Sequence, residues 1–435
     1  MRRTGGFAVA AALVVGCFNP GSSDTRDETT TTSTGDAPTT AGPTAPTTDE
    51  PPTTTGECTT DCGTGPTPTT TSTTTTTTTL TTSDSGETTE QPPAPPEFMQ
   101  MTPIDAPGAS ALVAGLLNDD TIPDLAVTSS SDSTLYWLLG GTTQPMPYPA
   151  SASVAMVGLN FGPPDMDIDL VLAPVDSMLL ETYSSMGEAP VAGSPIMTPC
   201  PPLALATGQV TGDANPDVVV MCSGVFSAYI FKGDVGGVFD NGTAMPIGQM
   251  PTAIAVGDVV GTPDDDLIVV SSPDNFVDVY RGLGDGLDNS ADSMVFAAPY
   301  ELAIGDLDGA APYDLVVLRT PAIPGGPACA VLRGGPVLEP LTPFDCGGET
   351  VTALALGDLD GDALSDLVTL ETSPDKAGKI NIYLYAATQA EFVPIHAWEI
   401  GMNPQRVVIA DLDGDEDGDI AVTSAAGIEL FFNAA

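Results

Sequence analysis

The sequence has very little positive charge. It contains 10 Lys and Arg against 58 Asp and Glu, which gives a formal net charge of −48 over 435 residues. Because phosphate backbones repel a chain of this sign, nucleic acid is excluded as a partner. The sequence also has a single histidine, His396, and charged residues make up only 16% of the chain. Little is therefore left for proton transfer near neutral pH.

Uninterrupted helical segments are not expected either. Glycine (46) and proline (42) break the chain too often for long helices. The apolar run FAVAAALVVG near the N-terminus has about 10 residues, roughly half of what a membrane-spanning helix needs. Since 42% of the residues are nevertheless hydrophobic, part of the chain must bury a core.

Residues 1–17 have the parts of a secretory signal, namely Arg2-Arg3, the short apolar run and a small residue before Cys17. The ending VVGC resembles the lipobox of bacterial lipoproteins, in which the cysteine becomes the lipidated first residue. An ordinary signal peptide with an incidental cysteine is the alternative, and a twin-arginine route matches poorly. We expect a lipoprotein exported to the bacterial cell envelope, anchored through Cys17 at the outer membrane or cell surface.

Residues 18–96 have almost nothing apolar to bury. The segment is rich in threonine, including an unbroken run at 73–79, interleaved with Pro, Ser, Gly and Asp. Such a composition cannot offset the entropy of ordering the chain. We predict a disordered tether with a reach of roughly 50 Å, whose Thr/Pro content also suits O-glycosylation.

The cysteines support export. Seven are present, and apart from Cys17 they fall into close pairs, which suits an oxidising compartment. Free thiols or a metal site are alternatives, but the C-x-x-C pairs and nearby histidines that zinc prefers are missing. The candidate disulfides are Cys58–Cys62, Cys200–Cys222 and Cys329–Cys346.

From residue 97 onward one sequence motif recurs seven times. It consists of a small apolar run, a Gly, an Asp-rich loop and then an aspartate, here called the closing aspartate, followed by Leu, Ile or Val. The closing aspartates lie about 50 residues apart: Asp124, Asp169, Asp217, Asp266, Asp314, Asp366 and Asp419. This period with β-rich units is typical of β-propellers. The sequence predicts an all-β, seven-bladed β-propeller of four-stranded blades over 97–435.

Each repeat is expected to provide four strands. Strand one is the small apolar run, which we place nearest the axis, where only small side chains fit. Strand two follows the closing aspartate, and strand three alternates aromatic and aliphatic residues, as in NIYLY at 381–385. The chain stops after blade seven's third strand, whereas EFMQMTPI at 97–104 is a strand without a repeat. We predict that 97–104 closes the ring as the outer strand of blade seven.

The aspartate loops carry the most specific chemical signal. GDLDGDALSDL in blade six has Asp at loop positions 1, 3, 5 and 9, blade seven repeats this arrangement, and blade five has Ala310 at position 5. Converging carboxylates are the hard oxygen ligands that Ca²⁺ prefers. The candidate ligands are Asp306, Asp308 and Asp314 in blade five, Asp358, Asp360, Asp362 and Asp366 in blade six, and Asp411, Asp413, Asp415 and Asp419 in blade seven.

Other interpretations of these loops remain. An EF-hand does not fit, because none of the three loops has Gly at position 6 or Glu at position 12. Solvated acidic turns without metal are an alternative, with more weight in blade five. Blades one to four have lost acidic positions. Asn118, Asp120 and Asp124 form a weak metal candidate in blade one, and blade two is too irregular to align.

The loops GDLDGDALSD and ADLDGDEDGD resemble the FG-GAP/VCBS-type repeats of bacterial surface proteins and of the integrin α-chain N-terminal propeller. The resemblance covers 97–435, with three specific and four degraded copies. It implies Ca²⁺ in the loops between strands one and two, and a ligand at the opposite face, here 272–276, 319–328, 371–379 and 401–405. Because the FG-GAP residues themselves are largely absent, the resemblance indicates the fold more specifically than the ligand.

Two classes of function are compatible with these features. The first is a monomeric, non-catalytic binding or adhesion module that holds a protein or glycan and touches the membrane only through its N-terminal lipid. The second is a propeller enzyme, a polysaccharide lyase or hydrolase with a carboxylate-based site at the central channel. We interpret His396 as a partly exposed residue of an outer strand, and nothing in the sequence positions a catalytic triad. We therefore expect a binding protein and not an enzyme.

Overall fold

The computed structural model describes residues 95–434, apart from 119, 162–166, 186–188, 214, 223, 235, 249, 285, 324, 349 and 374–375. Across these residues the regular secondary structure is entirely β, and none of it is a helix that could cross a membrane. The strands form seven antiparallel blades in a ring. The predicted all-β, seven-bladed propeller is confirmed.

The blades follow the seven repeats, and each is built from the axis outward. Blade one has Ala109–Gly115, Asp124–Ser129, Thr134–Leu138 and Met146–Pro149. Blade two has Ser153–Leu159, Asp169–Pro174, Leu179–Ser185, and two short outer pieces, Pro190–Ala192 and Ile196–Met197. Blade three has Pro202–Gly208, Asp217–Cys222, Ser227–Phe231 and Thr243–Pro246, with a small hairpin of Gly233–Asp234 and Val238–Phe239 before its outer strand.

The remaining blades are more regular. Blade four has Ala253–Gly257, Asp266–Ser271, Phe276–Tyr280 and Asp292–Val295. Blade five has Pro299–Gly305, Asp314–Arg319, Cys329–Arg333 and Glu339–Pro340. Blade six has Val351–Gly357, Asp366–Glu371, Gly378–Ala386 and Glu391–Ile400. Blade seven has Arg406–Ala410, Asp419–Ser424, Gly427–Ala434 and, as its outer strand, Glu97–Gln100.

The ring closes as predicted. Glu97–Gln100 pairs antiparallel with Gly427–Ala434, with Phe98 opposite Asn433. Farther along, Ile104 packs among the side chains of blades one and seven. The closure joins the first described strand to the last, so the outer edge of Gly427–Ala434 is paired.

The core is divided among the blade interfaces. Each pair of neighbouring blades encloses one apolar cluster, seven clusters in all among the described residues. The interface of blades four and five, for example, buries Val277 and Leu302 completely or nearly so. Because the face of every sheet is covered by its neighbour, the third-strand residues that alternate aromatic and aliphatic side chains have an apolar partner on both sides.

Strand one is the innermost strand in every blade, and these strands contact each other around the ring. Their register places one equivalent site four residues before the partner of the closing aspartate. Five blades have alanine there, Ala111, Ala155, Ala204, Ala253 and Ala353. Blades five and seven instead have Glu301 and Arg406.

Two of the candidate disulfides are formed. Cys200 and Cys222 have Cα atoms 5.8 Å apart, and the bond ties the entry of blade three to the end of its second strand. Cys329 and Cys346 have the same Cα separation and tie strand three of blade five to the segment after its outer strand. Cys17, the Cys58–Cys62 pair, the signal segment 1–17 and residues 18–94 of the tether lie outside the described residues.

Candidate metal centre

The aspartate loops of blades five, six and seven connect strand one to strand two and therefore lie on one face of the ring. Each turns at a glycine at position 4, Gly309, Gly361 or Gly414, with φ of +75°, +76° and +84°. This left-handed conformation is easy only for glycine. The position 1 aspartate holds the turn: Asp358 Oδ1 accepts the Gly361 amide at 2.8 Å, and Asp411 Oδ1 accepts the Gly414 amide at 2.7 Å.

Three carboxylates converge in each of the three loops. One oxygen from each aspartate at positions 1, 3 and 9 lies within 4.8 Å of the others, in Asp306–Asp308–Asp314, Asp358–Asp360–Asp366 and Asp411–Asp413–Asp419. Oxygens bound to one Ca²⁺ at about 2.4 Å are at most about 5 Å apart, so this spacing suits a single cation.

The position 5 aspartates are not part of those groups in the described residues. Asp362 Oδ1 accepts the Leu364 amide at 2.9 Å, and Asp415 Oδ1 accepts the Asp417 amide at 3.1 Å. They act instead on their neighbours at position 3, since their negative charge raises the pKa of Asp360 and of Asp413, second to burial in both cases. Direct coordination by Asp362 and Asp415 stays a prediction.

Burial makes these loops costly as bare anions. It raises the pKa of Asp366 to about 8 and of Asp419 to about 7, and the aspartates at positions 3 and 5 push both in the same direction. A bound cation would offset both the desolvation and the repulsion. The two complete loops therefore fit a divalent cation electrostatically as well as geometrically.

The closing aspartate has a second role, which the sequence analysis missed. In all seven blades its Oδ2 accepts an amide of the loop before it, and its Oδ1 accepts an amide at the end of strand three. In blade six these donors are Leu359 at 2.9 Å and Tyr385 at 2.7 Å. The amides bound by Oδ1 in blades one to seven belong to Gly140, Ser185, Gly233, Gly282, Gly334, Tyr385 and Asn433.

Blade two shows that this bridge is independent of metal chemistry. It has no aspartate loop that aligns with the others, yet Asp169 accepts amides from Phe161 and Ser185, both at 2.9 Å. The signal was available in the sequence, since the closing aspartate is retained in all seven copies while blades one to four have each lost some of the other acids. That pattern indicates a structural carboxylate that a metal ion can share.

The weak candidate in blade one uses its oxygens within the loop. Asn118 Oδ1 accepts the Asp120 amide at 2.8 Å, and Asp120 Oδ1 accepts the Ile122 amide at 2.9 Å. Burial raises the pKa of Asp124 to about 6. Metal binding by blade one stays a prediction.

Blade five contains a feature that the other two loops lack. The guanidinium of Arg333, at the end of strand three, forms an ion pair with Asp308, one of the three converging carboxylates. Its Nη2 also donates to the Tyr385 hydroxyl of blade six at 2.9 Å.

The opposite face carries most of the exposed large apolar side chains. They lie in the loops between strands two and three, in the connections between blades, or at the last residue of an outer strand: Val175, Met178, Met197, Val225, Phe226, Met250, Val295, Ile323 and Met402. Ile323 and Met402 fall in segments expected at this face. The densest group belongs to blades two and three, whose loops the sequence analysis did not single out.

His396 lies on the outer strand of blade six and is half-buried, as predicted. Its ring stacks on Trp398 with centroids 4.7 Å apart and meets the edge of Phe98. Nε2 lies 3.2 Å from the Pro96 carbonyl oxygen. The ring therefore belongs to the packing that closes the propeller.

Comparison with known proteins agrees with this geometry. Residues 358–422 match the model of the FG-GAP-like repeat, a span that includes both complete aspartate loops. This segment is similar to an FG-GAP-like repeat. The predicted resemblance to FG-GAP-type propellers is thus confirmed for the repeat and the fold.

Solved structures show the same architecture as this propeller. Two crystal structures of BBS1N in complex with ARL6DN, one soaked with lead and one with mercury, superpose with TM-scores of 0.53 and 0.56. Each is 13% identical, covers 77% of this chain and is itself covered to 95% or 96%. At that identity the likeness concerns the fold alone. No curated protein matches the sequence.

Proposed function

We propose that the protein is an exported, lipid-anchored binding module whose propeller is stiffened by Ca²⁺ and holds a protein ligand at the face opposite the aspartate loops. The observation that carries the proposal is that the two faces of the propeller differ in the side chains they expose. One face has the converging carboxylates, and the other has most of the exposed apolar side chains.

Calcium is the cation that the donor set favours. The converging ligands are all carboxylates, without histidine or cysteine, and hard oxygen donors suit Ca²⁺ rather than zinc. Asp358, Asp360 and Asp366 would hold the ion in blade six, and Asp411, Asp413 and Asp419 in blade seven. Each ion would tie the loop between strands one and two to the buried closing aspartate.

A protein ligand suits the opposite face. Met197, Phe226 and Met250 are 70%, 54% and 60% exposed, and methionine and aromatic residues are enriched at protein interfaces. Backbone hydrogen bonds join the segments that contain Met197 and Phe226 to their neighbours. The Thr198 amide donates to the Met178 carbonyl at 2.8 Å, and the Ile247 amide donates to the Phe226 carbonyl at 3.0 Å. The neighbour BBS1N, which has the same fold, was crystallised in complex with ARL6DN.

Two small cavities bear on the alternative of an enzyme. Two cavities in the described part of the chain have volumes of about 10 Å³ each, room for about one water molecule. Small-molecule sites are usually larger than about 300 Å³. One cavity is lined by Glu301 and Arg406, and the Glu301 side chain is buried there. These features support a binding role rather than catalysis.

The ligand proposal is tested by capture from envelope proteins with purified propeller. Phe226→Ser with Met250→Ser should abolish capture of the wild-type partner. Leu283→Ser with Val337→Ser, which changes apolar residues at least as exposed as Phe226 in loops of the metal face, should leave capture intact. Equal capture by both variants would contradict the proposed face. Binding to a glycan array without any captured protein would replace the protein ligand by a glycan.

The anchor and the metal need separate experiments. Cys17→Ser should release the protein from membranes, and a variant that stays bound would refute lipidation at Cys17.

Chelation by EDTA should lower the melting temperature, because a ligand that binds only the native state stabilises it. Sites with Kd of roughly 10⁻⁴ to 10⁻³ M would contribute on the order of 1 kcal/mol each at millimolar Ca²⁺. An unchanged melting curve would remove calcium from the proposal.

A further inference from the structure

One position differs in charge between the two blades with complete aspartate loops and blades three to five, whereas blades one and two have the uncharged Leu139 and Ser184 there. It is the residue just before the amide that binds Oδ1 of the closing aspartate, here called the pre-amide position. Blades six and seven, with complete aspartate loops, have the apolar residues Leu384 and Phe432 there. Blades three, four and five, with incomplete loops, have the cations Lys232, Arg281 and Arg333.

In blade five the cation is held inside the loop. Arg333 forms its ion pair with Oδ2 of Asp308, while Oδ1 of Asp308 accepts the Ala310 amide at 3.2 Å. Both oxygens of the position 3 carboxylate are therefore engaged by the chain. The hydrogen bond from Arg333 Nη2 to the Tyr385 hydroxyl fixes the guanidinium from the other side, and Arg333 is only 25% exposed.

Blade three contains the same arrangement in a loop that has lost most of its acids. Lys232, at the pre-amide position, forms an ion pair with Asp213 at 2.9 Å. Asp213 occupies position 5 of that loop, and Thr211 at position 3 donates its hydroxyl to the closing Asp217. Blade four provides the contrast. Its position 3 is Val260, which has no carboxylate. Arg281 instead forms an ion pair with Asp292 and donates a hydrogen bond to the Pro336 carbonyl.

The charges explain why a loop paired with the Arg333 guanidinium disfavours a bound calcium ion. Blade six has four loop aspartates and an apolar pre-amide residue, so a divalent cation meets only negative charge. Blade five has three loop aspartates and a fixed positive charge on one of them. A calcium ion bound there would have to displace the guanidinium or lie beside it against Coulomb repulsion. Position 5 is Ala310 and cannot compensate with another carboxylate.

We propose that Arg333 takes the place of the calcium ion in blade five, so that of the three loops with converging carboxylates only those of blades six and seven bind Ca²⁺, one ion each. The inference rests on the proposed calcium binding and revises the three-site prediction made from the sequence. The Arg333 guanidinium thus neutralises the blade-five loop, whose structure then does not depend on the calcium concentration.

The stoichiometry of the full chain tests the inference. Isothermal titration calorimetry with Ca²⁺ should give two ions per wild-type chain. Asp360→Asn in blade six should lower the number to one, and Asp308→Asn, the same change at the same loop position in blade five, should leave it at two. A loss of one ion in Asp308→Asn, whatever the number bound by the wild type, would overturn the inference while leaving calcium binding intact.

A gain of function gives the second arm. Arg333→Leu combined with Ala310→Asp reproduces the blade-six pattern in blade five and should raise the stoichiometry from two to three. Arg281→Leu, which removes a cation from the same position in blade four, should leave it at two. If the double variant does not fold, the comparison of Asp308→Asn with Asp360→Asn still decides. Binding of no ion by the wild type would refute the proposed calcium function itself.

Discussion

Asp169 Oδ1 accepts the backbone amide of Ser185 at 2.9 Å, within the one blade whose loop has no recognisable metal pattern. The same contact recurs in all six other blades, between a buried aspartate and the end of strand three. The separation along the chain is 16 residues in blade two but 20 in blade five and 14 in blade seven. The bridge is thus a property of the blade fold, on which the metal loops are built.

Replacing this carboxylate should destabilise the propeller without any metal. We predict that Asp169→Asn lowers the free energy of unfolding by about 1–3 kcal/mol, because a buried amide loses its acceptor and the new NH₂ group faces a donor. Urea denaturation in EDTA measures the change. Asp176→Asn, on an exposed turn of the same blade, is the control and should be neutral. Equal effects of the two variants would show that the bridge contributes nothing.

Stability in the absence of calcium should depend on pH. Burial raises the pKa of Asp366 to about 8 and that of Asp419 to about 7. The pKa of an aspartate in the unfolded chain is about 4. The folded state therefore binds more protons between these values, and its stability falls as the pH rises from about 4 to about 8.

Thermal unfolding in EDTA across that range should show the melting temperature decreasing with pH. Saturating Ca²⁺ should flatten the upper part of the curve, because the ion favours the ionised carboxylates. Asp366→Asn should weaken the dependence in EDTA. A melting temperature that rises through this interval would contradict the assigned direction.

The charged residues of the innermost strands should behave as a pair. Burial raises the pKa of Glu301 to about 7 and lowers that of Arg406, and each charge opposes the effect of burial on the other. Arg406 Nε and Thr352 Oγ1 have no hydrogen-bond partner among the described residues. Removing one member of such a pair leaves an uncompensated charge, which typically costs about 3–5 kcal/mol.

We predict that Glu301→Ala destabilises more than the double variant Glu301→Ala with Arg406→Ala, which restores the alanine found at this site in the five other blades. A double-mutant cycle by urea denaturation gives the coupling energy. Lys379→Ala, at an exposed cation, serves as the control. Additive effects of the two single changes would show that the charges are not coupled.

The disulfides should differ in their effect on the propeller. Loss of Cys200–Cys222 through a double alanine variant should lower the free energy of unfolding by about 2–4 kcal/mol, since the cross-link restricts the unfolded chain. Cys58→Ala with Cys62→Ala, in the segment predicted as a tether, should leave the propeller transition unchanged. Calorimetry distinguishes the two. A shift of that transition in the second variant would assign the tether a structural role.

By itself the sequence determined the architecture of this protein. The period of about 50 residues, the small residues of strand one and the unpaired strand at 97–104 are local patterns, and each predicted a feature that the structure has. The aspartates at positions 1, 3 and 9 could also be recognised, because loop spacing alone brings them together.

Only the tertiary structure decided how the loops differ. Arg333 lies 25 residues from Asp308, and the length of chain between loop and strand three varies among blades, so no fixed spacing reveals their contact. The apolar side chains of blades two and three likewise come together on one face only when hairpins and blade connections fold against each other. Electrostatic pairing and surface patches depend on distances through space, which a repeat pattern does not contain.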